Sequence, residues 1–194
     1  MLRANFPVVV RRGILFSPPN PDQGTPLSKA EIDQLRTDVS NLLKDQDCAK
    51  FMSALFNQLS ADTGRNAYST NAMDVFNAVE RQGGFRRREG PHSATGGSTV
   101  GNGDAVIDIN FPILSDPMAS AMNGRTILHE LVHVGSGSSG NYSHYEMAKA
   151  AYEVALAQGY KDLGTKPSGG DPGGVDASNS VFFSNMQFKA CHVK

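Results

Sequence analysis

The chain contains no tryptophan and only two cysteines among 194 residues. Cys48 and Cys191 lie far apart, and neither belongs to a Cys-x-x-Cys pair, which argues against a cysteine zinc site. A disulfide between them would clamp the C-terminus to an N-terminal helix; two buried free thiols are the alternative, since a core of this size needs no staple. Charge of one sign is also missing. Lys and Arg number 18 against 19 Asp and Glu, for a net charge of −1. That balance argues against a nucleic-acid partner, which calls for a strongly basic face. Long apolar runs are lacking too: none approaches the roughly 20 residues that span a bilayer. The opening Met1–Arg12 is too short in its apolar part, and too interrupted by Pro7, for a signal peptide. Localisation is left open between the cytosol, the extracellular space by another route, and a piece of a longer protein.

What remains suits one domain. Val8–Val10 and Ile14–Phe16 are β-prone and predict a hairpin or edge strand, followed by the proline-rich stretch from Ser17 to Pro26. Residues 1–26 therefore read as an arm and connector, and 27–194 as the domain. Ser28 with Glu31 predicts a capping box, with Ile32, Leu35, Val39, Leu42 and Leu43 recurring at helical spacing behind it. Asp47 is expected to cap a second helix, whose apolar stripe is Cys48, Phe51, Met52, Leu55, Phe56 and Leu59. Asn71 caps a third, with Val75, Phe76 and Val79 inward and Gly83 beyond its end. These stripes read as core.

Residues 83–104 turn rich in Gly, Ser and Thr and predict a long loop carrying His92, with Arg86–Arg88 as a solvated cluster. From Asp104 to Phe111 the pattern alternates. Ala105, Ile107, Ile109 and Phe111 face inward and Asp108 and Asn110 outward, as in a half-buried strand. A short helix is expected from Asp116-Pro117.

The chemistry lies in His129-Glu130-Leu131-Val132-His133, on a buried helix that Gly135 is placed to end. Residues four apart share a helix face, so His129 and His133 can offer two imidazole nitrogens to one metal ion. Glu130, rotated by about 100° from His129, falls beside the metal rather than on it. There it can take a proton from an attacking water and pass it to a leaving amine. The competing reading, two ordinary core histidines, leaves costly polar groups buried without compensation. A catalytic zinc needs a third protein ligand and an open position. His144 is the first choice. It opens the next helix behind a Ser143–Glu146 capping box, after ten intervening residues that easily fold back. Glu146 and Glu153 are the runners-up. Tyr145 is the candidate to donate a hydrogen bond to the developing oxyanion.

These residues resemble the zincin superfamily of zinc metallopeptidases, named for its His-Glu-x-x-His helix, over residues 104–156. The resemblance implies an α+β fold, mainly helical, with a small antiparallel sheet beside the motif helix. It also implies an edge strand, here residues 105–111, on which a peptide substrate pairs. Ser136 and Ser139 stand where the metzincin extension has Gly and His, so that third ligand is absent. The Tyr142–Ala148 pattern is similar to compact bacterial metallopeptidase domains found at the ends of large secreted or toxin-like proteins. Gly- and Pro-rich residues 163–180 predict a loop or lid, with Asp171 or Asp176 as a carboxylate behind a ligand imidazole. Val181–Phe183 and Met186–Cys191 predict terminal strands, and His192 is expected in solvent.

The expectation is thus a Zn2+-dependent peptidase acting on a peptide or protein substrate: His129, His133 and His144 on the metal, Glu130 as general base, Tyr145 as helper. The alternatives are a non-catalytic zinc-containing binding module and an effector toxin peptidase that acts on one specific protein. No oligomeric state follows from the sequence.

Overall fold

The computed structural model describes residues 24–87, 97–99, 106–109, 111–169 and 174–191. The hairpin expected at 6–16, together with His92, Asp171 and His192, lies outside them.

Helix α1 (Lys29–Leu43) starts from the expected box, in which the Ser28 hydroxyl accepts from the Glu31 N–H and the Glu31 carboxylate accepts from the Ser28 N–H. Helix α2 (Gln46–Thr63) is capped by Asp45, ahead of the expected Asp47, because the Asp45 carboxylate reaches two free N–H groups. Its predicted stripe of six is buried in full. Each such Leu or Phe contributes about 1.5–3 kcal/mol relative to exposure. Helix α3 (Ala72–Arg81) opens on Asn71 and buries Val75, Phe76 and Val79. Helices α4 (Pro117–His133), α5 (His144–Ala157) and α6 (Gly174–Ala190) complete the body. Helix α1 packs along α4, and α5 lies against both α2 and α6. No helix among the described residues is long and apolar enough to cross a membrane.

The sheet is small and ordered β1-β2-β4-β3, from Thr25–Pro26, Phe85–Arg87, Ile107–Ile109 and Gly97–Thr99. It is mixed rather than antiparallel, since β2 and β4 run parallel while β1 and β3 pair antiparallel with their neighbours. The α+β class holds, with the sheet beside the motif helix through contacts of β3 with α4.

Several local expectations are corrected. The end of the proline-rich connector is a strand of the sheet. The loop expected at 83–104 contains β2 and β3. Arg86 and Arg87 are half-buried rather than freely solvated. Arg86 donates to the Gly24 carbonyl, and Arg87 pairs with Glu31 and donates to the Phe111 carbonyl, so both tie the sheet to its surroundings. Strand β4 is not an edge, because β2 and β3 flank it; β3 holds the edge position next to it. Nor is β4 half-buried: Val106, Ile107, Asp108 and Ile109 are all buried. The helix from Asp116 and the motif helix are one element of 17 residues.

The largest correction concerns the C-terminus. Residues 174–190 form a helix, not strands. Val181-Phe182-Phe183 is a β-prone run, but the buried positions of the helix, Asn179, Phe183, Met186, Gln187 and Ala190, recur at helical spacing. That face packs against α5 and α2, and tertiary packing overrides local propensity. Cys191 pairs with Cys48, closing a separation of 143 residues and fastening the end of α6 to the start of α2.

Candidate metal centre

Asp116 caps α4 by accepting from the Ala119 N–H, with Pro117 in the first turn, and the helix runs until His133 ends it. Both motif histidines therefore sit in its last turns, on one face and buried. Gly135 does not end the helix through a left-handed turn, since its φ is not positive. Its role is space: a Cβ there would stand 2.4 Å from Cε1 of Phe56. The chain leaves the helix through a tight 3-10 segment (Val134–Ser139) in which Gly137 (φ 60°) breaks the helical path.

The return to the site is fixed by hydrogen bonds. The Tyr142 N–H donates to the His133 carbonyl at 2.9 Å. His133 Nδ1 donates to the Tyr142 carbonyl at 2.6 Å. A carbonyl can only accept, so Nδ1 carries the proton and Nε2 keeps its lone pair. Tyr142 is buried, its hydroxyl donates to the Arg65 carbonyl, and the Arg65 guanidinium lies over its ring. Arg65 also donates to the Asn141 carbonyl and pairs with Glu146. Ser143 and Glu146 form the expected capping box, which puts His144 at the first position of α5.

His144 thereby points back onto α4. Its Nε2 lies 3.0 Å from Nε2 of His133 and 3.3 Å from Nε2 of His129. The three candidate ligand atoms all fall within 4.8 Å of one another. One proton on His144 Nε2 can bridge only one of its two partners, so a hydrogen bond from it joins one of the two close pairs and not both. The 3.0 and 3.3 Å separations are close to the roughly 3.3 Å expected between ligand nitrogens on one tetrahedral ion with metal–nitrogen bonds of about 2.05 Å. The group can hold a metal ion. Burial, followed by the neighbouring His133, His144 and Arg125, pushes the His129 pKa well below its ordinary range, so this imidazole is neutral and available as a ligand. His129 Nδ1 lies 3.3 Å from Oγ of Ser184 on α6, and its ring meets the Phe183 ring nearly edge-on.

Glu130, next to His129 in the chain, is buried. Burial first, and the Asp108 carboxylate second, raise its pKa to about 8. Asp108, expected on the outer face of its strand, is itself buried.

The remaining candidates go elsewhere. Glu146 is held by Ser143 and Arg65; burial pushes its carboxyl up, but the Ser143 N–H, Arg65 and the Ser143 hydroxyl outweigh this and lower it. Glu153 accepts from Gln58 and faces α2. Tyr145 is exposed, with its ring near Gly169, and no hydrogen bond among the described residues joins its phenol to the histidines. Asp176 lies in α6, but its side chain is outside the described set.

Sequence reasoning missed two residues at the site. Asp108 was hidden by a strict alternation that assumed one wet face. Ser184 was hidden by the strand reading, although the spacing of Phe183, Met186 and Ala190 carried the helical signal. No family model, curated protein or solved structure matches this chain.

Proposed function

We propose that the chain is a zinc-dependent peptidase of zincin type, hydrolysing a peptide bond with an activated water. The observation that carries this reading is the return of His144 onto the His129–His133 pair, from an element that begins after ten intervening residues. Among the described residues the group offers three ligands, and His144 is only partly buried. A fourth position open toward solvent is what a catalytic ion needs, whereas a structural zinc is closed by four protein ligands.

A bound zinc supplies Lewis acidity, polarising a carbonyl and lowering the pKa of water. The protein's own groups do the rest. His133 is held in its ligand tautomer by the Tyr142 carbonyl. Glu130 is the base: its carboxylate accepts the proton of the attacking water and later delivers it to the leaving amine. Its raised pKa suits this two-way role, since a carboxyl titrating near neutrality can both accept and return a proton. A cation on the histidines shifts the balance toward the carboxylate. Tyr145 receives no role.

The test is metal content by elemental mass spectrometry together with hydrolysis of a peptide library. About one zinc per chain is expected in the wild type. Glu130→Gln is expected to keep the zinc and to lose activity by several orders of magnitude. A wild type that binds no zinc after reconstitution overturns the proposal, and so does a Glu130→Gln variant with undiminished activity.

A further inference from the structure

We propose that Ser184 is the positioning residue for His129, its hydroxyl accepting the Nδ1 proton so that Nε2 is turned toward His133 and His144. The inference rests on the metal-binding reading above and extends it to the C-terminal helix.

The two motif histidines have the same need and meet it differently. Each must carry its proton on Nδ1 if Nε2 is to be a ligand, and each then needs an acceptor at Nδ1. For His133 the acceptor is the Tyr142 carbonyl, supplied by the return loop. For His129, Oγ of Ser184 lies in reach of Nδ1 at 3.3 Å. The adjacent Phe183 meets the His129 ring nearly edge-on, with centroids 5.0 Å apart, and limits its rotation. Ser184 and Phe183 are consecutive on α6, so one short segment provides both the acceptor and the wall. That segment is itself anchored about two turns later, where Cys191 is bonded to Cys48. The ligand geometry on α4 is thereby tied to an element from the far end of the chain.

The experiment compares zinc affinity, by competition with a chromophoric chelator, in the wild type, Ser184→Ala, Ser184→Thr, Ser184→Val and Asn185→Ala. The visible spectrum of each cobalt(II)-loaded protein is recorded alongside. Thr and Val are isosteric and differ in the hydroxyl alone, so this pair carries the comparison even if Ser184→Ala fails to fold. Ser184→Ala and Ser184→Val are expected to bind zinc about 10–100-fold more weakly, with an altered cobalt spectrum. Ser184→Thr and Asn185→Ala are expected to stay close to wild type. Equal losses in the Thr and Val variants would trace the effect to packing around Phe183 and overturn the inference. So would a hydroxyl-free variant with unchanged affinity and spectrum, while the wild type still binds zinc. A wild type that binds neither zinc nor cobalt overturns the metal reading itself, and this inference with it.

Discussion

His133 and Tyr142 hold each other twice: the Tyr142 N–H donates to the His133 carbonyl, and His133 Nδ1 donates to the Tyr142 carbonyl. The pair closes the loop between the motif helix and the third histidine, selects the His133 tautomer, and fixes where α5 begins. Its integrity depends on the residues the loop uses to turn.

Gly140 is the first of these to test. Its φ of 88° and ψ of 152° fall in a region open essentially to glycine, and among the described residues no atom beyond its chain neighbours lies within 4 Å of the position a Cβ would take. Gly140→Ala is therefore expected to cost about 1–3 kcal/mol through backbone strain alone. Zinc binding should weaken as the Tyr142 carbonyl shifts. Gly159→Ala, also at positive φ (80°) but at the far end of α5, is expected to lower the melting temperature and leave zinc affinity unchanged. Calorimetric melts and chelator competition on both variants check this.

Three substitutions decide the third ligand. His144→Ala is expected to abolish stoichiometric zinc. Glu146→Gln should retain it and lose about 1 kcal/mol of stability, since it weakens a helix cap and the pair with Arg65. Glu153→Gln should retain zinc with little change in stability. Loss of zinc in either glutamine variant, with zinc kept in His144→Ala, would reassign the ligand.

Removing the Cys48–Cys191 bond should be costly because the loop it closes is long. The double variant Cys48→Ala/Cys191→Ala is expected to lose about 2–5 kcal/mol by denaturant unfolding. Hydrogen exchange should show the loss of protection concentrated in α6. Uniform loss across all helices would indicate that α6 is not held independently by the bridge.

Two carboxylates predict opposite pH dependences. Burial raises the Asp38 pKa, against donation from Ser120 and Gln34 that lowers it. A raised acid binds its proton more tightly in the folded chain, so this contribution is greatest below the unfolded value of 3.8 and is lost as pH rises through the folded value. Asp38→Asn should remove that decline. Glu31 is the reverse: the Ser28 hydroxyl first, then the Ser28 N–H and Arg87, lower it to about 2. Its contribution is complete above 4.5 and is lost as pH falls toward 2. Glu31→Gln should flatten the acid limb of the stability curve and leave the neutral range little changed in shape. Urea unfolding from strongly acidic to neutral pH separates the two.

The helices were legible where short-range rules operate. Ser28, Asn71, Asp116 and Ser143 cap as their side chains dictate, and the α2 stripe is buried residue for residue, because a cap and a 3.6-residue period are properties of neighbouring positions. Strand assignments fared worse. The run Val181–Phe183 favours an extended chain in isolation, yet lies in a helix that packs its buried face against α5 and α2. Asp108 looked outward because alternation in sequence shows two faces of a strand but not what covers the second.

By itself the sequence determined the reach of the site: His129 and His133 share a helix face by their spacing, and the capping box at Ser143 places His144 at a helix start. Tertiary structure decided the remainder. It brought the His144 nitrogen within 3.0 and 3.3 Å of its partners, took Glu146 and Glu153 away to Arg65 and Gln58, and set Ser184 behind His129. The physical reason is distance along the chain. Contacts across one helical turn are written in residue spacing, whereas those across tens of residues exist only once apolar burial has packed the helices and fixed which faces meet.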